Sequence, residues 1–185
     1  MFLFTEAELS ILSKVIFLDR DGVINKKACE HDYIKQWKDF FFLPNVEKAI
    51  KEFNELGYIV LVVTNQRGIA KELLTRETLD EIHQNMQDHL QLFGAHIDKI
   101  YVCPHDLDEC DCRKPKIGLF LEAEKDFSID KNQSWMIGDS SSDMIAGQNY
   151  KLKTIYISDH DIYETADYNC RNLYDTVNLI RRITK

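Results

Sequence analysis

An α/β fold, a parallel sheet with helices on both faces, is what this sequence predicts, and three observations carry the prediction. Short apolar runs bounded by polar turns recur five times, helical patterns lie between most of them, and polar, chemistry-bearing residues collect just beyond the runs. The runs are Val15–Leu18, Tyr58–Val63, Ile100–Val102, Trp135–Ile137 and Thr154–Ile157. Each has the length of a strand buried on both faces. Between them, Val46, Ala49, Ile50, Phe53 and Leu56 share one helical face, and Gly57 stands where a left-handed residue would stop that helix. Leu79, Ile82, Met86 and Leu90 repeat the pattern and stop near Gly94. Further helices are predicted at Ile117–Phe127, Ser142–Tyr150 and Thr176–Arg182, the last with an arginine pair suited to the negative end of the helix dipole.

At 185 residues the chain fits a single domain, 1–185, with residues 1–14 as an N-terminal extension. Thr5 and Glu8 have capping-box spacing, so residues 6–13 read either as a short accessory helix or as a frayed tail. The stretch Asn25–Pro44 is the one long segment without a clear period, and such segments in compact domains often carry function. The 23 Lys and Arg against 31 Asp and Glu give a net charge of −8, which disfavours a nucleic-acid partner. The opening residues lack the basic start and long apolar stretch of a secretion signal, and no later window is apolar enough to span a membrane. Five cysteines, an odd number with three packed together, suit a reducing compartment and a metal better than a disulfide framework, so a cytoplasmic protein is expected.

In a parallel sheet ligands gather at the carboxyl ends of the strands. The first run opens into Asp19-Arg20-Asp21-Gly22, two carboxylates one residue apart. They read either as an Asx turn or a pair neutralised by Arg20 and Lys14, or as a magnesium site in which one aspartate attacks phosphorus and the other moves protons. The second run ends in Thr64-Asn65-Gln66-Arg67-Gly68, whose hydroxyl and amide could hold a phosphoryl group or simply cap a helix. Between Cys103 and Cys112 lie Cys103, His105, Cys110 and Cys112, four ligands able to close a tetrahedral shell around zinc; a strained local disulfide or chance are the alternatives. A filled shell would make that zinc structural, pinning a loop, 103–112, too short to have its own core. Arg113 and Lys114 follow just before a helix start, where a phosphate-binding role gains on that of solvated surface. The fourth run gives Gly138-Asp139-Ser140-Ser141-Ser142-Asp143, in which Asp143 has capping-box spacing from Ser140 and Asp139 has no such role. In order, the strand ends offer two acids, a hydroxyl, a cation and an acid, which together meet the needs of magnesium-dependent phosphoryl transfer.

The strings FLDRDG, VVTN, RKP and GDSSSD resemble, in that order, the haloacid dehalogenase superfamily of phosphatases over about residues 15–157. More narrowly, FLDRDGVIN, TNQRGIA and CPH…CDCRKPKIG are similar to the zinc-containing subgroup of D-glycero-D-manno-heptose 1,7-bisphosphate phosphatases and histidinol-phosphate phosphatases. The resemblance implies a Rossmann-like, capless fold with a zinc-binding loop. It implies Asp19 as nucleophile, forming an aspartyl-phosphate, and Asp21 as the acid and then the base. Thr64, Asn65 and Lys114 would steady the phosphoryl group, and Arg113 would read the substrate. Magnesium would sit on Asp19, the backbone carbonyl of Asp21 and Asp139, with Asp143 in support, and zinc on Cys103, His105, Cys110 and Cys112. Arg67 stands where a serine is usual, and residues 26–33 are a few longer than usual.

The expected partner is a small phosphorylated metabolite met by an open, monomeric enzyme, and the expected reaction is removal of the C7 phosphate from the heptose bisphosphate on the route to nucleotide-activated heptose for surface polysaccharide. Histidinol phosphate is the alternative substrate. A non-catalytic, zinc-stabilised binding module is the alternative of another class.

Overall fold

The computed structural model describes residues 12–29 and 32–184. Six parallel strands form one sheet: β1 (Val15–Leu18), β2 (Ile59–Asn65), β3 (Lys99–Cys103), β4 (Trp135–Gly138), β5 (Lys153–Ile157) and β6 (Tyr168–Cys170). Their spatial order is β3-β2-β1-β4-β5-β6, so β1 is central and the chain reverses its direction of growth between β1 and β4. Crossovers pass through α1 (Val46–Glu55), α2 (Arg76–Leu92), α3 (Gly118–Asp126) and α4 (Ser141–Asn149), and α5 (Leu173–Ile183) closes the fold.

Alternation along β1 divides the core in two. Ile16 and Leu18 point to the face covered by α1, α2 and α5, where Ile50, Phe53, Met86, Val177 and Ile180 are buried. Val15 and Phe17 point to the opposite face, packed by Leu119, Phe120 and Ala123 of α3 and Ala146 of α4. Each such fully buried side chain contributes about 1.5–3 kcal/mol, which is why the central strand tolerates no polar position until it ends. The helices therefore cover both faces as predicted.

The predicted strands are all present, within one or two residues of their predicted ends, and five predicted helices occupy their places. Two start earlier than their apolar spacing indicates. Thr75 caps α2 by accepting from the Thr78 N–H at 3.1 Å, and the Asn172 side chain caps α5 by accepting from Asp175 at 2.9 Å. β6 was not predicted: it is a three-residue edge strand with no buried position. The candidate helix over 6–13 lies outside the described residues except at its end, where Ser13 forms a parallel bridge to Ile129 and is extended. The aperiodic segment Asn25–Pro44 carries a single 3-10 turn, Trp37–Asp39, and among the described residues holds no folded cap over the strand ends. No helix among the described residues is long and apolar enough to cross a membrane.

Candidate active site and metal loop

A cavity of about 250 Å³ opens at the carboxyl ends of β1, β2 and β4, at the point where the strand order reverses. Asp19, Asp21, Thr64, Asn65, Lys114, Asp139 and Asp143 line it together with Lys27, Tyr33, Ile34 and Gln66. Asp19 is the first residue past β1, and its N–H donates to the Ile137 carbonyl of β4 at 3.0 Å, so sheet pairing sets its position directly. Lys114 is completely enclosed. Its ammonium donates to Asp19 Oδ1 at 2.8 Å and to the Val63 carbonyl at 2.6 Å, and forms an ion pair with Asp143 Oδ1 at 2.6 Å. Burial would lower its pKa, but the two carboxylates reverse that and hold it above the usual lysine value. Burial pushes Asp19 up to about 7; Lys114 opposes this, while Asp143 and Asp21 add to it.

Asp21 is held quite differently. Burial would raise its pKa, yet the Arg20 guanidinium and the amides of Asn25 and Gln66 bring it below the ordinary value. Arg20 Nη2 donates to both carboxylate oxygens at 2.8 and 2.9 Å, Asn25 to Oδ1 at 2.8 Å and Gln66 to Oδ2 at 3.0 Å. Neighbouring aspartates in one tripeptide are thus held by different partners, Asp19 by Lys114 and Asp21 by Arg20, Asn25 and Gln66.

Asp139 faces the same cavity from β4. Burial raises its pKa against the Lys27 ammonium, which reaches Oδ2 at 2.6 Å. Among the described residues its Oδ1, which is buried, has no hydrogen-bond partner. Carboxylate oxygens of Asp19, Asp139 and Asp143 lie within 4.8 Å of one another. Clustered hard oxygens with one buried lone pair unused fit a small divalent cation, which prefers just such donors. The backbone is shaped around the cluster. A Cβ on Gly22, which has φ +97°, would fall 1.8 Å from Asp139 Oδ2, and one on Gly138 would fall 2.3 Å from the Asp143 Cβ. Ser140 donates from its N–H at 3.1 Å and its hydroxyl at 2.6 Å to Asp143 Oδ2, the carboxylate half of the predicted capping box. Asp143 therefore serves the α4 terminus with one oxygen and Lys114 with the other.

The cysteine loop leaves β3 beside this cavity. Cys103 Sγ lies 3.5 Å from Cys110 Sγ, Cys110 3.2 Å from Cys112, and His105 Nδ1 3.3 Å from Cys112 and 3.8 Å from Cys103. A tetrahedron with Zn–S bonds of about 2.3 Å has edges of about 3.8 Å. The four atoms fit that shell, and all five cysteines of the chain are free thiols. The loop is stapled to the β2 turn: Gln66 N–H donates to the Cys103 carbonyl at 2.8 Å and Ala70 N–H to the Pro104 carbonyl at 3.1 Å, while Arg67 pairs with Asp106.

The chain's sequence matches the polynucleotide kinase 3 phosphatase family over residues 14–169. The chain belongs to this family of haloacid dehalogenase phosphatases. It is 40% identical over 149 residues to the D-glycero-beta-D-manno-heptose-1,7-bisphosphate 7-phosphatase of Haemophilus ducreyi, covering 76% of this chain and 80% of that one. To the enzyme of the same name from Helicobacter pylori it is 37% identical over 173 residues, covering 91% and 98%. Among solved structures, the D,D-heptose 1,7-bisphosphate phosphatase of B. bronchiseptica, complexed with magnesium and phosphate, superposes with a TM-score of 0.83 at 27% identity, covering 92% of this chain and 99% of that one.

In this haloacid dehalogenase phosphatase the fold brings together Asp19, Asp21, Thr64, Asn65, Lys114, Asp139 and Asp143, as the strand-end reading expects. Two predicted residues are placed differently from the rest. The Asn65 side chain brackets the Lys114 peptide, donating to its carbonyl at 3.1 Å and accepting from its N–H at 3.0 Å, so it aims the lysine from the cavity lining. Arg113 is not among the residues lining the cavity, and its buried Nη1 has no hydrogen-bond partner among the described residues. Lys14, one of the two cations weighed as neutralising the aspartate pair, instead lies over the Tyr58 ring at 4.6 Å. Arg20, the other of those cations, does pair with Asp21 at 2.8 Å, while sequence reading missed Lys27, Asn25 and Gln66. Gln66 and Asn25 sit inside the quoted strings, but Lys27 lies in the aperiodic segment and carries no local signal.

Proposed function

We propose that this phosphatase removes the C7 phosphate of D-glycero-D-manno-heptose 1,7-bisphosphate, using residues 1–185 as one catalytic domain. The convergence of Asp19, Asp21, Thr64, Lys114, Asp139 and Asp143 on one cavity at the strand ends, with the Lys114 ammonium 2.8 Å from Asp19, is the observation that carries the reading. The names of relatives covered over most of their length supply the substrate.

In this reading an Asp19 oxygen attacks phosphorus, the bond to the sugar oxygen breaks, and that oxygen takes the proton carried by Asp21. Asp21 then accepts a proton from water, the resulting hydroxide attacks phosphorus, and the Asp19–phosphoryl bond breaks, releasing inorganic phosphate and restoring the proton. Lys114 steadies charge on the transferring group and holds Asp19 in place, and the Thr64 hydroxyl, which accepts from Gln66 at 2.8 Å, is free to donate into the cavity. Asp19, Asp139 and the backbone carbonyl of Asp21 would hold magnesium, which when bound shields the attacking carboxylate from the substrate's charge. Cys103, His105, Cys110 and Cys112 would hold zinc, which keeps the loop in shape.

The test is phosphate release with magnesium from heptose 1,7-bisphosphate and from histidinol phosphate in parallel. The reading expects kcat/KM at least about a hundred-fold higher on the bisphosphate, with heptose 1-phosphate as product; equal or reversed selectivity overturns it. For the loop, protein purified without chelator is expected to contain one zinc per chain by elemental analysis. Cys112→Ser should lower that content and the melting temperature together, and a zinc-free protein of unchanged stability would remove the assignment.

A further inference from the structure

We propose that His83 is a positioning residue for this reaction, holding the Arg20 guanidinium and through it aiming the Asp21 carboxylate at the departing oxygen. The proposal rests on the reading of Asp21 as proton donor. Arg20 is fully buried, and its donors divide between two partners. Nη2, with Nε at 3.3 Å, grips Asp21, and Nη1 on the far side meets His83 Nε2 at 3.1 Å. A guanidinium is planar, so fixing one edge fixes the direction of the other. His83 projects from α2, an element that contributes nothing else to this contact, and it is itself buried. The Phe40 ring lies 6.0 Å from the guanidinium carbon. Among the described residues His83 is therefore the hydrogen-bonding stop on Arg20, and without it the side-chain hydrogen bonds of the guanidinium go to the carboxylate it has to aim.

The tautomer follows from the contact. Arg20 can only donate, so His83 Nε2 must accept, which places the ring proton on Nδ1. Burial, together with the Arg20 charge, pulls the His83 pKa down to about 3, so the ring stays neutral at working pH and remains an acceptor. A residue needed for packing alone could be aliphatic here. A polar ring in this place instead meets the requirement that the buried Nη1 be satisfied, since a buried donor left alone is costly.

The experiment exploits leaving groups. With magnesium present and enzyme in excess, single-turnover release is measured for the sugar bisphosphate, whose alkoxide needs a proton, and for p-nitrophenyl phosphate, whose phenolate does not. His83→Leu is expected to slow sugar release about thirty-fold or more while changing p-nitrophenol release less than about three-fold. His83→Gln, whose amide oxygen can take the place of Nε2, should recover most of the loss. His83→Asn, too short to reach Arg20, should resemble Leu, and it supplies the comparison if the Leu variant does not fold. Equal losses on both substrates, or Gln no better than Asn, overturn the proposal and leave His83 a packing residue. Asp21→Asn is the control. If it too slows both substrates equally, the reading of Asp21 as the acid has failed, rather than the role of His83.

Discussion

Asp19→Asn is expected to lower turnover of any phosphate ester by roughly ten-thousand-fold or more, while KM stays within about three-fold. An amide oxygen does not attack phosphorus, but it can still accept from Lys114, which also keeps Asp143 and the Val63 carbonyl, so the cavity should hold its shape. The same variant should be more stable than the parent in magnesium-free buffer. Burial lifts the Asp19 carboxyl from 3.8 to about 7, so its ionised form is disfavoured in the folded chain. The sign follows: below pH 4 the group is protonated in folded and unfolded chains and costs nothing, and the cost grows as pH rises toward 7. The melting temperature advantage of Asn should therefore be small near pH 4 and reach its maximum above pH 7. An active variant would contradict the assignment of Asp19, and one destabilised at neutral pH would contradict its raised pKa. A binding module without catalysis would be indifferent to the change.

Lys114→Met should fail on both counts. Removing one partner of a buried ionic cluster leaves charge without compensation, at a cost of about 3–5 kcal/mol, or a fall in melting temperature of roughly 10 °C for a chain of this size. Asp19 loses its nearest cation, so it should titrate above its present value of about 7, and the penalty should ease as the pH falls through that region. Turnover should drop by about a thousand-fold even where the variant is folded, since neither the attacking carboxylate nor the phosphoryl oxygens keep their cation. Arginine is not expected to substitute: the pocket between Asp19, Asp143 and Val63 admits a point charge, not a planar fork. Thermal melts from pH 5 to 8 beside single-turnover assays would check both parts.

What could be read from the sequence follows from how local its causes are. β1 was legible to the residue because four apolar positions end abruptly in two acids, and a buried strand leaves little freedom about where it stops. Asp19, Asp139 and Lys114 followed, because ligands in a parallel sheet collect where strands end. β6 was not legible: its pattern is half-exposed and its pairing with β5 depends on an edge that only the folded sheet provides. The same holds for the supports of the site. Nothing near Lys27 indicates that it will meet Asp139, more than a hundred residues away, and His83 carries no mark of Arg20. Asn65 was noticed for its polarity, but the peptide it clips could be found only in three dimensions. Residue type announced the chemistry, and long-range contact decided which polar groups act on substrate and which hold the others.

The position of β1 in the sheet has a consequence for how the enzyme is made. Ile16 pairs with Val60 on one side and with Trp135 on the other, so the central strand waits through most of synthesis for its second neighbour. Until then Asp19 lacks the Ile137 carbonyl that fixes it, and Asp139 and Asp143 do not yet exist. The clustered carboxylates are thus kept apart until β4 and the start of α4 have been made and can meet Lys114 and the first half of the sheet. A ribosome-bound fragment ending before β4 should be catalytically silent however well its first half has folded, which makes turnover a sign that synthesis has passed Asp143.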